Sequence, residues 1–125
     1  MISQTAEYAL RAIVFLADQE GRPKTNVQIA EATQIPVDYL AKVMQGLGRA
    51  QLVNSQRGLN GGFTLSRPAG EVTVLDVVNS IDPVRRILAC PLNLPSHGTD
   101  LCPLHRRLDD AAALVEQAFK TTTIA

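Results

Sequence analysis

The strongest constraint on the fold is the segment LVNSQRGLNGGFTLSRP, in which two short apolar runs flank the sequence Asn-Gly-Gly. The two runs, Leu52–Asn54 and Phe63–Leu65, have the length of short β-strands. Glycine supplies the positive φ angles that tight turns between antiparallel strands require. The segment therefore predicts a β-hairpin, and the rest of the chain must supply the elements that pack against it.

Three segments before the hairpin have the periodicity of amphipathic helices. The first covers about residues 4–19 and has Ser3 near its start. The second, NVQIAEATQ, has Asn26 as its expected N-cap, and the third runs from Pro36 through VDYLAKVMQGLGRAQ. The apolar residues at helical spacing are Ala6, Ala9, Leu10, Ile13, Val14, Leu16 and Ala17 in the first, Val27, Ile29 and Ala30 in the second, and Leu40, Val43, Met44 and Leu47 in the third.

Two further helices are expected after the hairpin. The segment EVTVLDVVNSID has apolar residues at helical spacing and is expected to pack back against the first helix. From Pro103 an apolar stripe runs along a helix of four to five turns, and the final KTTTIA is expected to fray. Exposing that stripe to water is costly unless a second copy covers it, so it predicts a homodimer. The predicted interface residues are Leu104, Leu108, Ala111, Val115 and Phe119.

The order of these elements defines a fold class. Two short helices with a tight link form a helix-turn-helix, and a hairpin directly after it is a wing. We therefore expect a mainly α protein, a winged helix-turn-helix DNA-binding domain with a β-hairpin wing and a long C-terminal dimerisation helix. The expected divisions are residues 1–82 for the DNA-binding domain, 83–102 for a cysteine-containing loop and 103–125 for the dimerisation helix and tail.

Length and composition limit the alternatives. The chain has 125 residues, of which 46% are hydrophobic, enough for one domain with its own core. It has no run of eighteen apolar residues, and its first residues lack the layout of a signal peptide, so we expect a cytoplasmic protein with no membrane partner. An enzyme is not expected, because no phosphate-binding glycine loop precedes a helix and no Cys-His-acid set is supported by a pocket-forming fold.

The predicted helix-turn-helix and wing carry candidate contacts to double-stranded DNA. Net charge is zero, but residues 1–70 hold seven Lys or Arg against five acids. Lys42 and Arg57 are the predicted phosphate contacts, whereas Tyr39 and Gln45 are predicted to alter sequence preference. A protein-interaction module with the same fold is the alternative. The full candidate set is Gln28, Thr33, Val37, Asp38, Tyr39, Lys42, Gln45, Arg49, Arg57 and Asn60.

These segments together resemble a known family. The stretches EYALRAIVFLA, IPVDYLAKVMQGL and RGLNGGFTLSRP, with a cysteine loop leading into a terminal helix, are similar to the bacterial winged-helix repressors of the Rrf2 family. The resemblance spans nearly the whole chain. It implies a dimeric transcription regulator, a repressor, whose loop before the long helix holds an iron-sulfur cluster that senses redox state, nitric oxide or iron-sulfur status.

The resemblance also implies a ligand set for a 2Fe-2S or 4Fe-4S cluster. Cluster-binding members carry three cysteines in this loop, and Cys90 and Cys102 match the first and the third. His105 matches a histidine that often follows, and His97 lies where the middle cysteine would be. In some relatives a carboxylate from the first helix of the partner subunit is a ligand, and the matching position is Glu7.

Two other uses of the cysteines remain open. Only Cys102 and His105 have the two-residue separation common in zinc sites, so zinc is a competing metal. A metal-free thiol switch, in which Cys90 and Cys102 form a reversible disulfide, is the second alternative. In either case the dipole of the helix that starts at Pro103 favours the thiolate form of Cys102.

Overall fold

The computed structural model describes residues 2–58, 61–83 and 103–125. Within these ranges the chain forms five α-helices, one single-turn 3-10 helix and one antiparallel pair of strands, which confirms the expected fold class. The elements are α1 (Gln4–Ala17), α2 (Asn26–Thr33), α3 (Val37–Arg49), β1 (Val53–Gln56), β2 (Gly62–Leu65), α4 (Val74–Ile81) and α5 (Pro103–Lys120), with the 3-10 turn at Ala69–Glu71.

Helix α1 lies at the centre of the fold. Its Ala6, Ala9 and Ala12 are fully buried, and it contacts α2, α3, α4 and β2. Because alanine side chains are short, neighbouring backbones can approach α1 closely on this face. The hydroxyl of Ser3 accepts a hydrogen bond from the Ala6 amide at 3.1 Å and so caps the helix. Val14, one of the apolar residues at helical spacing, lies on the exposed side of α1.

Helix α2 starts with a capping box that the sequence analysis missed. The Thr25 hydroxyl accepts from the Gln28 amide at 3.2 Å, and the Gln28 carboxamide oxygen accepts from the Thr25 amide at 2.9 Å. The N-cap is therefore Thr25, and the assignment of Asn26 was wrong because the Thr25 and Gln28 side chains each satisfy the other residue's backbone amide. Val27 was also wrongly placed inward: it is 53% exposed, whereas Ile29 and Ala30 are buried as predicted.

Helix α3 presents the apolar face that its periodicity predicts. Its four buried residues are Leu40, Val43, Met44 and Leu47. The link from α2 is tight, since Gln34 adopts a left-handed conformation with φ of 59° and the next residue, Ile35, is buried. The Ile35 amide donates to the Ala30 carbonyl at 3.2 Å. This link closes the predicted helix-turn-helix.

The predicted hairpin is present, with strands displaced from the predicted bounds. β1 and β2 pair antiparallel with Val53 opposite Leu65 and Gln56 opposite Gly62. The ladder extends into polar residues because backbone hydrogen bonds hold it, whereas the apolar pattern had stopped the first strand at Asn54. Leu52, expected within the strand, is buried just before it.

The hairpin is joined to the link between α1 and α2 at Gly62 and Phe63, the first two residues of β2, which approach Lys24. Phe63 and Lys24 exchange two backbone hydrogen bonds of 2.7 and 3.1 Å. A Cβ atom on Gly62 would lie 2.5 Å from the Lys24 carbonyl oxygen, and the Gly62 φ angle is +141°. Glycine is therefore required here for the close approach of a third backbone segment as well as for its conformation.

Helix α4 packs against α1, as the sequence predicts. It starts with a second capping box, in which Thr73 and Asp76 exchange two hydrogen bonds of 3.0 Å. Val77 and Val78 are buried and supply its contribution to the core. Two reciprocal caps therefore fix the starts of α2 and α4 locally.

The C-terminal tail does not fray, contrary to expectation. The Val74 amide donates to the Thr122 carbonyl at 2.8 Å, and the Ile124 amide donates to the Val72 carbonyl at 2.9 Å. Ile124 also packs against the core. The prediction failed because this strand-like pairing joins residues about fifty positions apart, which no local pattern reveals.

Helix α5 begins at Pro103 and has 18 residues, as its stripe predicts. Its N-terminal half is open to solvent, with Leu104 65% and Leu108 50% exposed. Val115 and Phe119, nearer the tail, are partly buried. No helix in the described ranges is long and apolar enough to cross a membrane.

Substituting Gly62 tests how the wing is attached. Gly62→Ala is expected to lower the free energy of unfolding by about 1–3 kcal/mol, because the added methyl group forces the backbone away from Lys24. Gly48→Ala in α3 is the control: its Cβ meets no atom within 4 Å, and alanine favours helix, so stability should rise by up to about 1 kcal/mol. Urea unfolding of both variants measures the difference, and a Gly62→Ala protein as stable as its parent would contradict the close approach.

Candidate nucleic-acid interface

The solvent side of α3 carries a stripe of polar residues. Asp38, Lys42, Gln45 and Arg49 recur at three- and four-residue spacing and are all exposed. They lie opposite the buried apolar face of α3, so the helix can be held by the core while these side chains contact another molecule. The predicted candidates Val37 and Tyr39 are also exposed, at the start of the helix.

Three cations of this region have no acidic partner among the residues that the structure describes. Lys42 and Arg49 on α3 and Arg57 just after β1 are exposed, and none makes an ion pair within 4.0 Å with the described residues. By contrast, Arg67 lies 4.0 Å from Asp76. Unpaired Lys and Arg side chains can neutralise phosphates without first breaking an internal salt bridge. Asn60, the remaining wing candidate, lies outside the described residues.

The two candidates on α2 already hold backbone groups of their own helix. The Gln28 carboxamide oxygen belongs to the capping box with Thr25. The Thr33 hydroxyl donates to the Ile29 carbonyl at 2.6 Å. These bonds stabilise the two ends of α2. The capping box uses the side-chain oxygen of Gln28 and not its side-chain NH2 group.

Tyr39 connects the start of α3 to α1. Its hydroxyl lies 2.7 Å from the Thr5 hydroxyl, and its ring meets the Tyr8 ring edge to face, with centroids 5.4 Å apart. The Tyr8 hydroxyl accepts a hydrogen bond from the Gln4 side chain at 2.9 Å. The sequence analysis missed Thr5 and Tyr8, because no local signal links positions 34 residues apart.

The neighbouring face of α1 carries an ion pair. Arg11 Nε donates to Glu7 Oε1 at 2.8 Å, and the guanidinium lies 5.3 Å from the centre of the Tyr8 ring. Arg11 also donates to the Thr33 carbonyl at the end of α2, at 3.3 Å. The Glu7 side chain is half-exposed, and its carboxylate is already paired with Arg11 of the same chain.

The whole chain matches one family of regulators. The model of the family Rrf2, described as an iron-dependent transcriptional regulator, matches residues 2–125. This chain belongs to the Rrf2 family. It is therefore a transcriptional regulator and not an enzyme, as the sequence predicts.

Individual relatives of this Rrf2 regulator agree with the fold. The chain is 29% identical, over 99% of its length and 88% of the other, to a protein of Aquifex aeolicus described as an HTH-type transcriptional regulator. It is similar in structure to the global cysteine regulator CymR of B. subtilis, with a TM-score of 0.79 and 24% identity over 99% of this chain and 92% of that one. It is also similar in structure to IscR of T. potens, with a TM-score of 0.80 and 23% identity over 99% of this chain and 82% of that one.

The metal candidates of this Rrf2 regulator fall mainly in a segment the structure does not describe. Cys90, His97 and Cys102 lie in residues 84–102, outside the described residues, and His105 lies in the first turn of α5. Residues 2–58, 61–83 and 103–125 contain no group of three His, Cys, Asp or Glu side chains that could hold a metal ion. The ligand set thus remains a prediction.

The dimer candidates form two groups along α5. Leu104, Leu108 and Ala111 are exposed, whereas Val115 and Phe119 are partly buried within the chain. Leu114, which the predicted set omitted, is 73% exposed. The apolar surface available to a second copy is therefore concentrated toward the N-terminal and middle turns of α5.

Proposed function

We propose that this Rrf2 regulator binds double-stranded DNA as a homodimer and acts as a repressor in the cytoplasm. The observation that carries the proposal is the solvent side of α3, where a stripe of polar residues includes cations that make no ion pair with the described residues. Lys42 and Arg49 lie on the helix and Arg57 lies on the wing, so positive charge flanks the face that would enter the major groove. A net charge of zero does not oppose this, since local cations govern phosphate contact.

The helix and the wing would have different roles in binding. Recognition helices contact base edges with their N-terminal residues, which here are Val37 and Asp38. Gln45, one turn beyond Lys42, carries a side-chain amide that can pair with adenine in two hydrogen bonds. Lys42 and Arg57 would contact phosphates and fix the register of the protein on the duplex.

We propose that α5 forms the seam between the two copies. Leu104 and Leu108 project into solvent from successive turns, and burying one leucine contributes about 1.5–3 kcal/mol. A two-fold seam on α5 would present the two α3 helices to half-sites about one turn of DNA apart. The expected operator is therefore a pseudo-palindrome.

We propose further that Cys90 and Cys102 bind an iron-sulfur cluster, with other ligands drawn from His97, His105 or Glu7. The support is the description of the matching family as iron-dependent, together with the concentration of both cysteines and both histidines within residues 90–105. When bound, such a cluster supplies reversible one-electron chemistry. For Glu7 to take part, it would either ligate through Oε2 or release Arg11, which donates to Oε1 at 2.8 Å.

A thiol switch is the second candidate for sensing. It needs only Cys90 and Cys102. Unlike a metal site, it requires no third ligand, and the described residues contain no metal-binding group. Oxidation to a disulfide and reduction by cellular thiols would then replace cluster loss as the signal. The two candidates differ in whether the purified protein contains iron.

Salt dependence tests DNA binding. The logarithm of the affinity for duplex DNA should fall linearly with the logarithm of the salt concentration, because phosphate neutralisation releases counterions. Lys42→Ala and Arg57→Ala should each weaken binding to all duplexes alike and reduce the slope by about 1. Arg106→Ala, which removes an exposed cation of α5, is the control and should leave the slope unchanged. Fluorescence anisotropy measures all three, and salt-insensitive binding would favour a protein-interaction module.

Sedimentation tests the seam on α5. Leu108→Asp should convert a dimer to monomers at micromolar concentration, because it places a charge in the apolar contact. Gln117→Asp introduces the same charge at an exposed polar position of the same helix and should leave the dimer intact. An unchanged dimer in Leu108→Asp would place the seam elsewhere.

Anaerobic purification tests the sensing segment. Iron and sulfide analysis, with an absorption spectrum, should show bound cluster in the parent and its loss in Cys90→Ser and Cys102→Ser. Colourless protein whose DNA binding responds to oxidation only when both cysteines are present would establish the thiol switch instead. If the protein is colourless and both variants bind DNA like the parent under reducing and oxidising conditions, the sensing proposal fails.

A further inference from the structure

We infer that Tyr39 is a positioning residue, which fixes the start of α3 against α1 through Thr5 and Tyr8 and so sets the orientation of the recognition helix. The inference rests on the proposed binding of α3 to DNA. The sequence analysis predicts that Tyr39 alters base preference by direct contact, whereas the inference gives it an indirect role.

The first observation is the commitment of the Tyr39 side chain to α1. Its hydroxyl lies 2.7 Å from the Thr5 hydroxyl, which places the pair at the distance of a good hydrogen bond. Its ring stands at 86° to the Tyr8 ring, in the edge-to-face geometry that aromatic pairs favour. Tyr39 is 40% exposed, its ring contacts Tyr8 on α1, and its hydroxyl bonds Thr5.

The second observation is that α3 lacks a local anchor at its start. Its N-cap is Pro36, and no side chain caps its first amides. Helices α2 and α4, in contrast, both start with reciprocal capping boxes. A recognition helix without a cap depends on tertiary contacts to define its first turn, and the contacts of Tyr39 supply them.

The third observation is that the same surface of α1 also holds the end of α2. Arg11, lying over the Tyr8 ring, donates to the Thr33 carbonyl at 3.3 Å. Contacts from α1 therefore hold the chain on both sides of the link between α2 and α3. The helix-turn-helix is fixed from outside its own sequence, at Thr33 and at Tyr39.

A double-mutant cycle separates this role from direct contact with DNA. The variants are Thr5→Val, Tyr39→Phe and the combination, each of which removes a hydroxyl with little change in shape. The probe is the duplex that the parent protein selects most strongly from a randomised pool. Each single variant should weaken binding to it by a factor of about five, the size of one neutral hydrogen bond, and the double variant should be no weaker than either.

A duplex of unrelated sequence and a remote hydroxyl provide the controls. Binding to the unrelated duplex should change less, because misorienting α3 disturbs base contacts more than adaptable phosphate contacts. Thr121→Val removes a hydroxyl that bonds only backbone carbonyls at the end of α5 and should bind like the parent. Thermal unfolding confirms that every variant is folded at the temperature of the binding assay.

The outcomes distinguish the inference from the function it rests on. Additive losses in the double variant, or a loss in Tyr39→Phe with none in Thr5→Val, would show that the Tyr39 hydroxyl contacts DNA and would overturn the inference. Parent-like binding by both single variants would also overturn it. A parent protein with no salt-dependent affinity for DNA would instead refute the proposed function itself.

Discussion

The fold depends on the alanine face of α1. Ala6, Ala9 and Ala12 are fully buried, and each lets a neighbouring element approach at a distance that a larger side chain would prevent. The helix-turn-helix, α4 and the second strand of the hairpin all contact this one helix. The relative positions of these elements are therefore set by α1, which carries none of the predicted DNA contacts.

This arrangement separates the residues that hold the interface from those that face solvent. Leu40, Val43, Met44 and Leu47 fix α3 to the core, and Lys42, Gln45 and Arg49 on the other side are exposed. The same separation applies to the wing, where the backbone of Lys24 binds β2 and leaves Arg57 at the exposed end of β1. Charged side chains that project from rigid elements can contact the phosphates of a duplex at fixed positions.

The sequence predicts those parts of the fold that local patterns encode. The spacing of Leu40, Val43, Met44 and Leu47 indicates both α3 and its buried face, and Asn-Gly-Gly indicates the hairpin. The cap of α2 is encoded by Thr25 and Gln28, since a threonine followed three residues later by glutamine is a capping-box signature, whereas Asn26 has no such partner three residues on. Val27 was misplaced because eight residues of helix define an apolar face poorly.

Contacts between distant parts of the chain could not be predicted in this way. The pairing of Thr122 and Ile124 with the start of α4, and the bond between Thr5 and Tyr39, depend on how the folded helices meet. The candidate DNA contacts on α3 are exposed, yet exposure alone does not define a role for each side chain. Tyr39 illustrates the difference, because its sequence position shows where the ring lies and only the fold shows what it touches.

The pairing of the tail with residues 72–74 attaches the C-terminal end of α5 to the segment that begins α4. Eighteen residues of helix span about 27 Å, and a tilt of about 10° about this attachment displaces the opposite end by about 5 Å. That opposite end adjoins the segment that holds both cysteines. A small rotation of α5 about its attachment to residues 72–74 would therefore correspond to a displacement of several ångströms at Pro103.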